Sequence, residues 1–272
     1  MTGKELLGKL KDGKTIYGTA ILSPSPNWPS VVKRTGIDFV FLDTEHIPID
    51  RTTLSEMCHI YDALGLPPIV RIPSPDPFEA CKALDGGAVG IIGPYIESAE
   101  QVRALVGATK LRPLKGERLQ AVLENREMLQ SELKEYLENR NTNNILIINI
   151  ESVPAMENLD EILSVPGLDA VIVGPHDLSC SLGLPEQYHN PDFEAALQSI
   201  VTKVRKKGLA VGVHFSETPA LQVRWANAGV NIIMHSSDIS IFSQALQRDI
   251  AEIRRALGED GFEMGGEAGV II

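Results

Sequence analysis

The sequence has no run of about 18 apolar residues, the length a bilayer span needs, so no segment reads as a membrane helix. Its first residues, MTGKELLGKLKDGK, form a polar amphipathic stretch without the apolar centre of a signal peptide. Cysteine is scarce: Cys58, Cys81 and Cys180 lie far apart without metal-type spacing and read as reduced packing residues of a cytoplasmic protein. Positive charge is short too. A net charge of -11 offers no basic face to a nucleic acid, although local cations could still hold an anionic substrate. Catalytic signatures are also missing: there is no Gly-x-Gly-x-x-Gly after the first strand-like run, no Walker loop, no Gly-x-Ser-x-Gly elbow and no His-Glu-x-x-His helix. No lysine falls at the end of a strand-like run, which argues against a Schiff-base aldolase.

What is present describes a globular chain with a large core: 272 residues, 43% hydrophobic and 22% charged. Short apolar runs recur at Thr15–Ile21, Ile37–Leu42, Pro68–Ile72, Ala88–Ile92, Ile145–Ile150, Ala170–Val173, Leu209–Val213 and Val230–Met234. Amphipathic segments separate them, among them Leu54–Leu64, Ala155–Leu163, Asp192–Lys206 and Ile239–Leu257. Continuous apolar strands alternating with helices predict an α/β fold with a parallel sheet covered by helices. Eight such units close most economically as a (β/α)8 TIM barrel, with a doubly wound open sheet as the alternative. We expect one domain over residues 1–257, carrying a loop–helix insertion at about 111–144 that reaches over the barrel mouth. A Gly/Glu-rich tail follows at 258–272.

The chemistry concentrates where these runs break. Ile145–Ile150 ends at Glu151, and Ala170–Val173 ends at Gly174-Pro175 and delivers Asp177. Either acid alone reads as the cap of a following helix. Placed alike on consecutive strands, the two read as oxygen ligands for a hard divalent ion, Mg2+ or Mn2+, with positions left open. The second run ends in Asp43-Thr44-Glu45-His46, a rim histidine with carboxylates beside it that could orient its ring or raise its basicity. Arg71 sits inside the third run and reads as a fixed cation aimed at a carboxylate or oxyanion, or else as half of an internal salt bridge. His176, His214 and His235 follow the sixth, seventh and eighth runs, which predicts that their side chains line one wall of the mouth and favour a polar or acidic aldehyde.

Together these residues resemble the HpcH/HpaI aldolases, metal-dependent enzymes acting on 2-oxo acids. The resemblance runs from about Leu6 to Leu257 and rests on FLDTEH at 41–46, VRIP and DP within 70–77, LDGGA at 84–88, IES at 150–152 with NLD at 158–160, and VGPHDLS with SLG within 173–183. It implies a barrel of the phosphoenolpyruvate-mutase-like type whose last helix is swapped between subunits, and a homo-oligomer built as a hexamer, a trimer of dimers. It implies Glu151 and Asp177 as ligands of Mg2+ or Mn2+, with Co2+ a further candidate. It makes His46 the general base, flanked by Asp43, and Arg71 the group that stabilises the transition state. Asp85 matches an acid that reaches a neighbouring subunit's histidine. Substrate contacts fall on Arg71, Asn149, Gly174, Pro175, His176 and Asp177; Asn149 and His176 stand where the family has glutamine and alanine. The implied reaction cleaves a 4-hydroxy-2-oxo acid to pyruvate, or a related 2-oxo acid, and an aldehyde through an enolate. The alternatives are an oxaloacetate-type decarboxylase and a non-catalytic 2-oxo-acid-binding protein.

Overall fold

In the computed structural model, which describes residues 1–215 and 218–259, the apolar runs become strands β1 (Ile16–Ala20), β2 (Phe39–Asp43), β3 (Pro68–Arg71), β4 (Gly90–Gly93), β5 (Ile145–Ile150), β6 (Ala170–Val173), β7 (Ala210–Phe215) and β8 (Ile232–Ser237). They pair in parallel and in sequence order, and β1 closes on β8 to complete a barrel. Alternation along each strand sorts the side chains into two cores. Ile16, Phe39, Phe41, Ile69, Ile92, Ile145, Ile147, Ile172, Ile232 and Met234 fill the interior. Val40, Leu42, Val70, Ile91, Leu146, Ile148, Val171, Val173, Val211 and Val213 face the helices. Both faces are therefore buried, which is why the strands read as unbroken apolar runs.

The helices are α1 (Gly3–Lys11), α2 (Trp28–Lys33), α3 (Arg51–Ala63), α4 (Pro77–Asp85), α5 (Ala99–Lys110), α6 (Gly116–Leu123) and α7 (Ser131–Arg140) in the first half. The second half adds α8 (Val153–Glu157), α9 (Leu159–Ile162), α10 (Pro175–Ser181), α11 (Pro191–Lys206), α12 (Pro219–Asn227) and α13 (Asp238–Ala256). The N-terminal stretch is a helix because Thr2 and Glu5 form a reciprocal capping box. Its Leu6 and Leu10 join the interior core and plug the end of the barrel where the strands begin. The single helix expected over Ala155–Leu163 is broken into α8 and α9 at Asn158, whose side-chain Nδ2 donates to the Glu97 carbonyl.

The insertion corrects an expectation. It joins the end of α5 to the start of β5, so it lies at the strand-beginning end of the barrel, opposite the mouth. Lys110 marks the place, binding the Asn144 carbonyl and the Asp169 carboxylate just before β6. In a right-handed βα barrel only the segments following strands reach the mouth. Within it α7 is the helix the sequence predicts, and α6 is a further helix in the part read as loop.

Helix α13 is anchored at its first turn. Asp238 is buried and accepts the backbone N–H groups of Leu22 and Ser23, both at 3.0 Å. Beyond that turn Ile239, Phe242, Leu246, Ile250, Ile253 and Leu257 form an exposed apolar stripe at spacings of three and four. Among the described residues no helix is long and apolar enough to cross a membrane. Residues 260–272, most of the expected tail, lie outside the described residues.

Candidate active site

The two carboxylates meet at a glycine. Glu151 is the first residue after β5, and Asp177 sits in the first turn of α10 after β6. A Cβ at Gly174 would stand 2.7 Å from Glu151 Oε2, so a side chain there would displace that carboxylate, and 3.6 Å from Asp177 Oδ2, an ordinary contact that shows both acids beside the same glycine. Glu151 is buried; its Oε1 accepts the Tyr95 N–H at 2.7 Å and its Oε2 accepts Asn149 Nδ2 at 3.0 Å. Burial, aided by the negative charges of Asp177 and Glu45, outweighs the Tyr95 bond and pushes the Glu151 carboxyl up to about 7. Crowded, desolvated carboxylates of this kind are suited to a cation.

The donor set fits one class of ion. Two carboxylates and the buried Asn149 Oδ1, which has no hydrogen-bond partner, are all hard oxygen donors. Among the described residues no group of three or more His, Cys, Asp and Glu side chains is placed to hold a metal. A divalent ion here would thus keep most of its positions for substrate and water.

On the same rim, Arg71 at the end of β3 is held by Asp43 at the end of β2. Nε donates to Oδ1 and Nη2 to Oδ2, both at 2.8 Å, with the guanidinium 5.4 Å above the Phe41 ring. Burial alone would push the fully enclosed Asp43 carboxyl up; the hydrogen bonds and charge of Arg71 hold it below its usual range instead. Of the two readings of Arg71, the structure shows the salt bridge. It is an internal salt bridge that spends two of its five N–H donors and keeps the rest.

Asp43 does not orient the His46 ring. Its remaining acceptor capacity goes to the backbone N–H groups of Glu45 at 3.0 Å and His46 at 3.3 Å, which fixes the loop. The carboxylate nearest the ring is Glu45, whose Oε1 lies 3.8 Å from His46 Nε2. The His46 side chain is 43% exposed and free to meet a ligand.

Asp85 is not part of this constellation within the chain. It ends α4 on the outer surface, 69% exposed, and pairs with Arg112. Nor do the three histidines share a wall. His214 is in register with Met234 and faces the interior, edge-on to Phe41 at 5.6 Å, with Nε2 3.3 Å from the Ser236 carbonyl. Burial pushes it down to about 4, so it is neutral. His235 is in register with Phe215, whose side chain belongs to the outer core, and so faces the helices. His176, on the surface of α10, approaches Glu186 at 3.8 Å. Pro175 begins that helix. Strand ends can be counted from sequence; which face each residue takes depends on register.

Two contributors escape a reading of the sequence. Glu45 figures there only as a neighbour of His46. Tyr95, two residues beyond β4, adopts φ 53 and touches Glu151 through its backbone. A signal for it exists: Gly93-Pro94-Tyr95 closes β4 with the same Gly-Pro punctuation that Gly174-Pro175-His176 uses after β6.

The profile of the HpcH/HpaI aldolase/citrate lyase family matches residues 21–245. The chain is 31% identical to a 2-keto-3-deoxy-L-rhamnonate aldolase of Salmonella paratyphi B, over 89% of this chain and 90% of that protein. It is also 31% identical to a 2-dehydro-3,6-dideoxy-6-sulfogluconate aldolase of Pseudomonas putida, over 85% and 90%. Among solved structures, an HpcH/HpaI aldolase/citrate lyase family protein from Burkholderia cenocepacia superposes with a TM-score of 0.79 at 28% identity, covering 92% of this chain and 99% of that one.

Proposed function

The chain belongs to the HpcH/HpaI aldolase/citrate lyase family and is a carbon–carbon lyase, and from that premise we propose that it cleaves a 4-hydroxy-2-oxo acid to pyruvate and an aldehyde. The observation that carries this reading is the convergence of Glu151 and Asp177 on Gly174, on the same rim as a fixed arginine. These two side chains would hold Mg2+, Mn2+ or Co2+. A divalent ion there would polarise the 2-oxo group and offset the charge that grows as the bond breaks.

The chain's own residues supply the rest. As the C3–C4 bond breaks, its electron pair moves onto C3 and the 2-oxo oxygen, giving the enolate of pyruvate. The N–H donors of Arg71 not spent on Asp43 face that growing charge at no reorganisation cost, because the guanidinium is already locked. His46 takes the proton of the C4 hydroxyl as the aldehyde carbonyl forms. The segment Gly174–Asp177 and the Asn149 amide border the place of the substrate carboxylate. Pyruvate is completed when C3 takes a proton from solvent.

The test is pyruvate release from a panel of 4-hydroxy-2-oxo acids, led by the 2-keto-3-deoxy sugar acids of the relatives, with and without EDTA and added metal. Metal-dependent release is expected. No release from any member would sink the reading. His46→Ala separates the two halves of the chemistry. Cleavage should fall on the order of a hundredfold or more, while oxaloacetate decarboxylation, which has no C4 hydroxyl to deprotonate, should stay within a few-fold. Equal loss of both activities would assign His46 another role.

The same reading includes a homo-oligomer, a trimer of dimers with α13 exchanged between subunits. Its support is the apolar stripe of α13, exposed along its length although its first turn is anchored. Replacing Phe242 and Leu246 together by glutamate should yield a smaller species by light scattering while α1–α12 remain folded. An unchanged mass would mean that α13 does not hold the assembly.

A further inference from the structure

His214 is the one residue of β7 that is not fully buried, although its side chain points into the barrel. Below it the interior is filled by Ile172, Ile232 and Met234, and the far end is plugged by Leu6 and Leu10. Its exposed part can therefore open only onto the mouth. The pairing of Ile150 with Val173, and of Val173 with Val213, sets Glu151, Gly174 and His214 one residue further along three neighbouring strands. His214 thus stands on the level at which the carboxylates meet, about 5 Å along the sheet from the Gly174 backbone. It also shares the Phe41 ring with Arg71: the imidazole meets that ring edge-on at 5.6 Å, and the guanidinium lies over it at 5.4 Å.

We infer that His214 is a specificity-determining residue, whose Nδ1 accepts a hydrogen bond from a hydroxyl group on the aldehyde half of the substrate. This inference rests on the cleavage reaction proposed above and names the class of aldehyde released, a hydroxyaldehyde.

The backbone sets the tautomer. His214 Nε2 lies 3.3 Å from the Ser236 carbonyl, which can only accept, so Nε2 carries the hydrogen of the ring. Ser236 adopts φ 55, uncommon for any residue but glycine, and its carbonyl also accepts Thr19 Oγ1 at 3.3 Å. With Ser236 buried, the open side of the ring is the Nδ1 side. Among the described residues no hydrogen bond reaches Nδ1. Burial, with the positive charge of Arg71, outweighs the Ser236 bond and pushes the imidazole down to about 4. Nδ1 therefore presents a lone pair and no proton.

That lone pair selects by chemistry. The pyruvyl half of the substrate offers a carboxylate and a keto oxygen, which accept hydrogen bonds and have none to give. The C4 hydroxyl passes its proton to His46. What Nδ1 can read is a further O–H, on the carbons beyond C4. A carboxylate in that place would set lone pair against lone pair. The polar or acidic preference expected of a three-histidine wall thus narrows, with His214 alone facing inward, to neutral hydroxyl groups.

The experiment runs the reaction in reverse, condensing pyruvate with glycolaldehyde or with propanal, which carries a methyl in place of the hydroxyl. Wild type, His214→Leu and His214→Phe are compared in the presence of Mg2+. The intrinsic reactivity of the two aldehydes cancels when their kcat/KM ratios are compared between proteins. Both variants are expected to lower the glycolaldehyde-to-propanal ratio about tenfold, the order of one hydrogen bond. Exchange of pyruvate methyl protons with D2O, which needs no aldehyde, should stay within about twofold, because the pyruvyl half has no O–H to lose. An unchanged ratio in both variants would overturn the inference, as would a ratio that falls with one side chain and rises with the other, which reports size. So would exchange that falls as steeply as condensation, since His214 would then act on the pyruvyl half. Exchange in the wild type is read first: its absence overturns the proposed cleavage and this inference together, whereas exchange with an unmoved ratio overturns this inference alone.

Discussion

Glu151→Gln and Asp177→Asn are each expected to abolish saturable binding of Mg2+ or Mn2+ and to lower kcat on the order of a thousandfold. Each variant keeps the shape of its side chain, so the fold should survive. Glu151→Gln carries a second, opposite signature. The Glu151 carboxyl is pushed up to about 7 by burial, with help from Asp177 and Glu45. A carboxyl raised in the folded state holds its proton longer folded than unfolded. Stability of the metal-free protein therefore falls as pH rises from the ordinary carboxyl range toward 7, by ~3 kcal/mol for a shift of this size. Glutamine has no charge to desolvate. Metal-free Glu151→Gln should thus be more stable than metal-free wild type at pH 8, and the gap should close near pH 4. Activity and apo stability would move in opposite directions, as expected where a site stores unfavourable charge for a ligand. Denaturant unfolding in EDTA at the two pH values, beside metal titration, checks both. Retained metal-dependent turnover in either variant would remove these residues from the centre.

The second large effect belongs to Arg71. Arg71→Ala should lower both cleavage and oxaloacetate decarboxylation by about a hundredfold or more, since both pass through the same enolate. It should also destabilise the fold by about 3–5 kcal/mol, because Asp43 is fully enclosed and loses its bidentate partner. The pH dependence follows from the direction of the Asp43 shift. In the wild type Arg71 holds that carboxyl below its usual range, so its contribution is present at neutral pH and lost as pH falls through the folded value. Without Arg71, burial alone acts and favours the protonated form, so the variant gains stability on acidification. The difference between the two proteins should be larger at pH 7 than at pH 4. Arg71→Lys guards against simple unfolding: it keeps the charge, loses the two-pronged bond, and should fold with intermediate activity. An unchanged decarboxylation rate in Arg71→Ala would take the residue out of that role.

Much of this was written along the chain. The eight strands, their order and their burial on both faces follow from apolar runs punctuated by Gly, Pro and acids, because period and turn chemistry are local properties. The strand-end positions of His46, Arg71, Glu151 and Asp177 follow from the same reading, since in a parallel barrel every strand delivers its last residue to one rim.

What the chain could not state is who faces whom. The pairing of Asp43 with Arg71 rather than with His46 depends on β2 and β3 lying in register, so that residues distant in sequence become side-by-side partners. Register likewise turned His214 inward and His235 outward, although both lie near the end of a strand. The insertion was legible as helix and loop, yet its place opposite the mouth emerged only once the direction of β5 was fixed. Tyr95 is the sharpest case. Nothing in its neighbours announces a left-handed backbone, whose N–H reaches the carboxylate that follows β5. Sequence alone determined the elements and the rim on which chemistry gathers, because those obey local periodicity. The tertiary structure decided partners, charge states and facing, because these arise from distances between strands that no local pattern encodes.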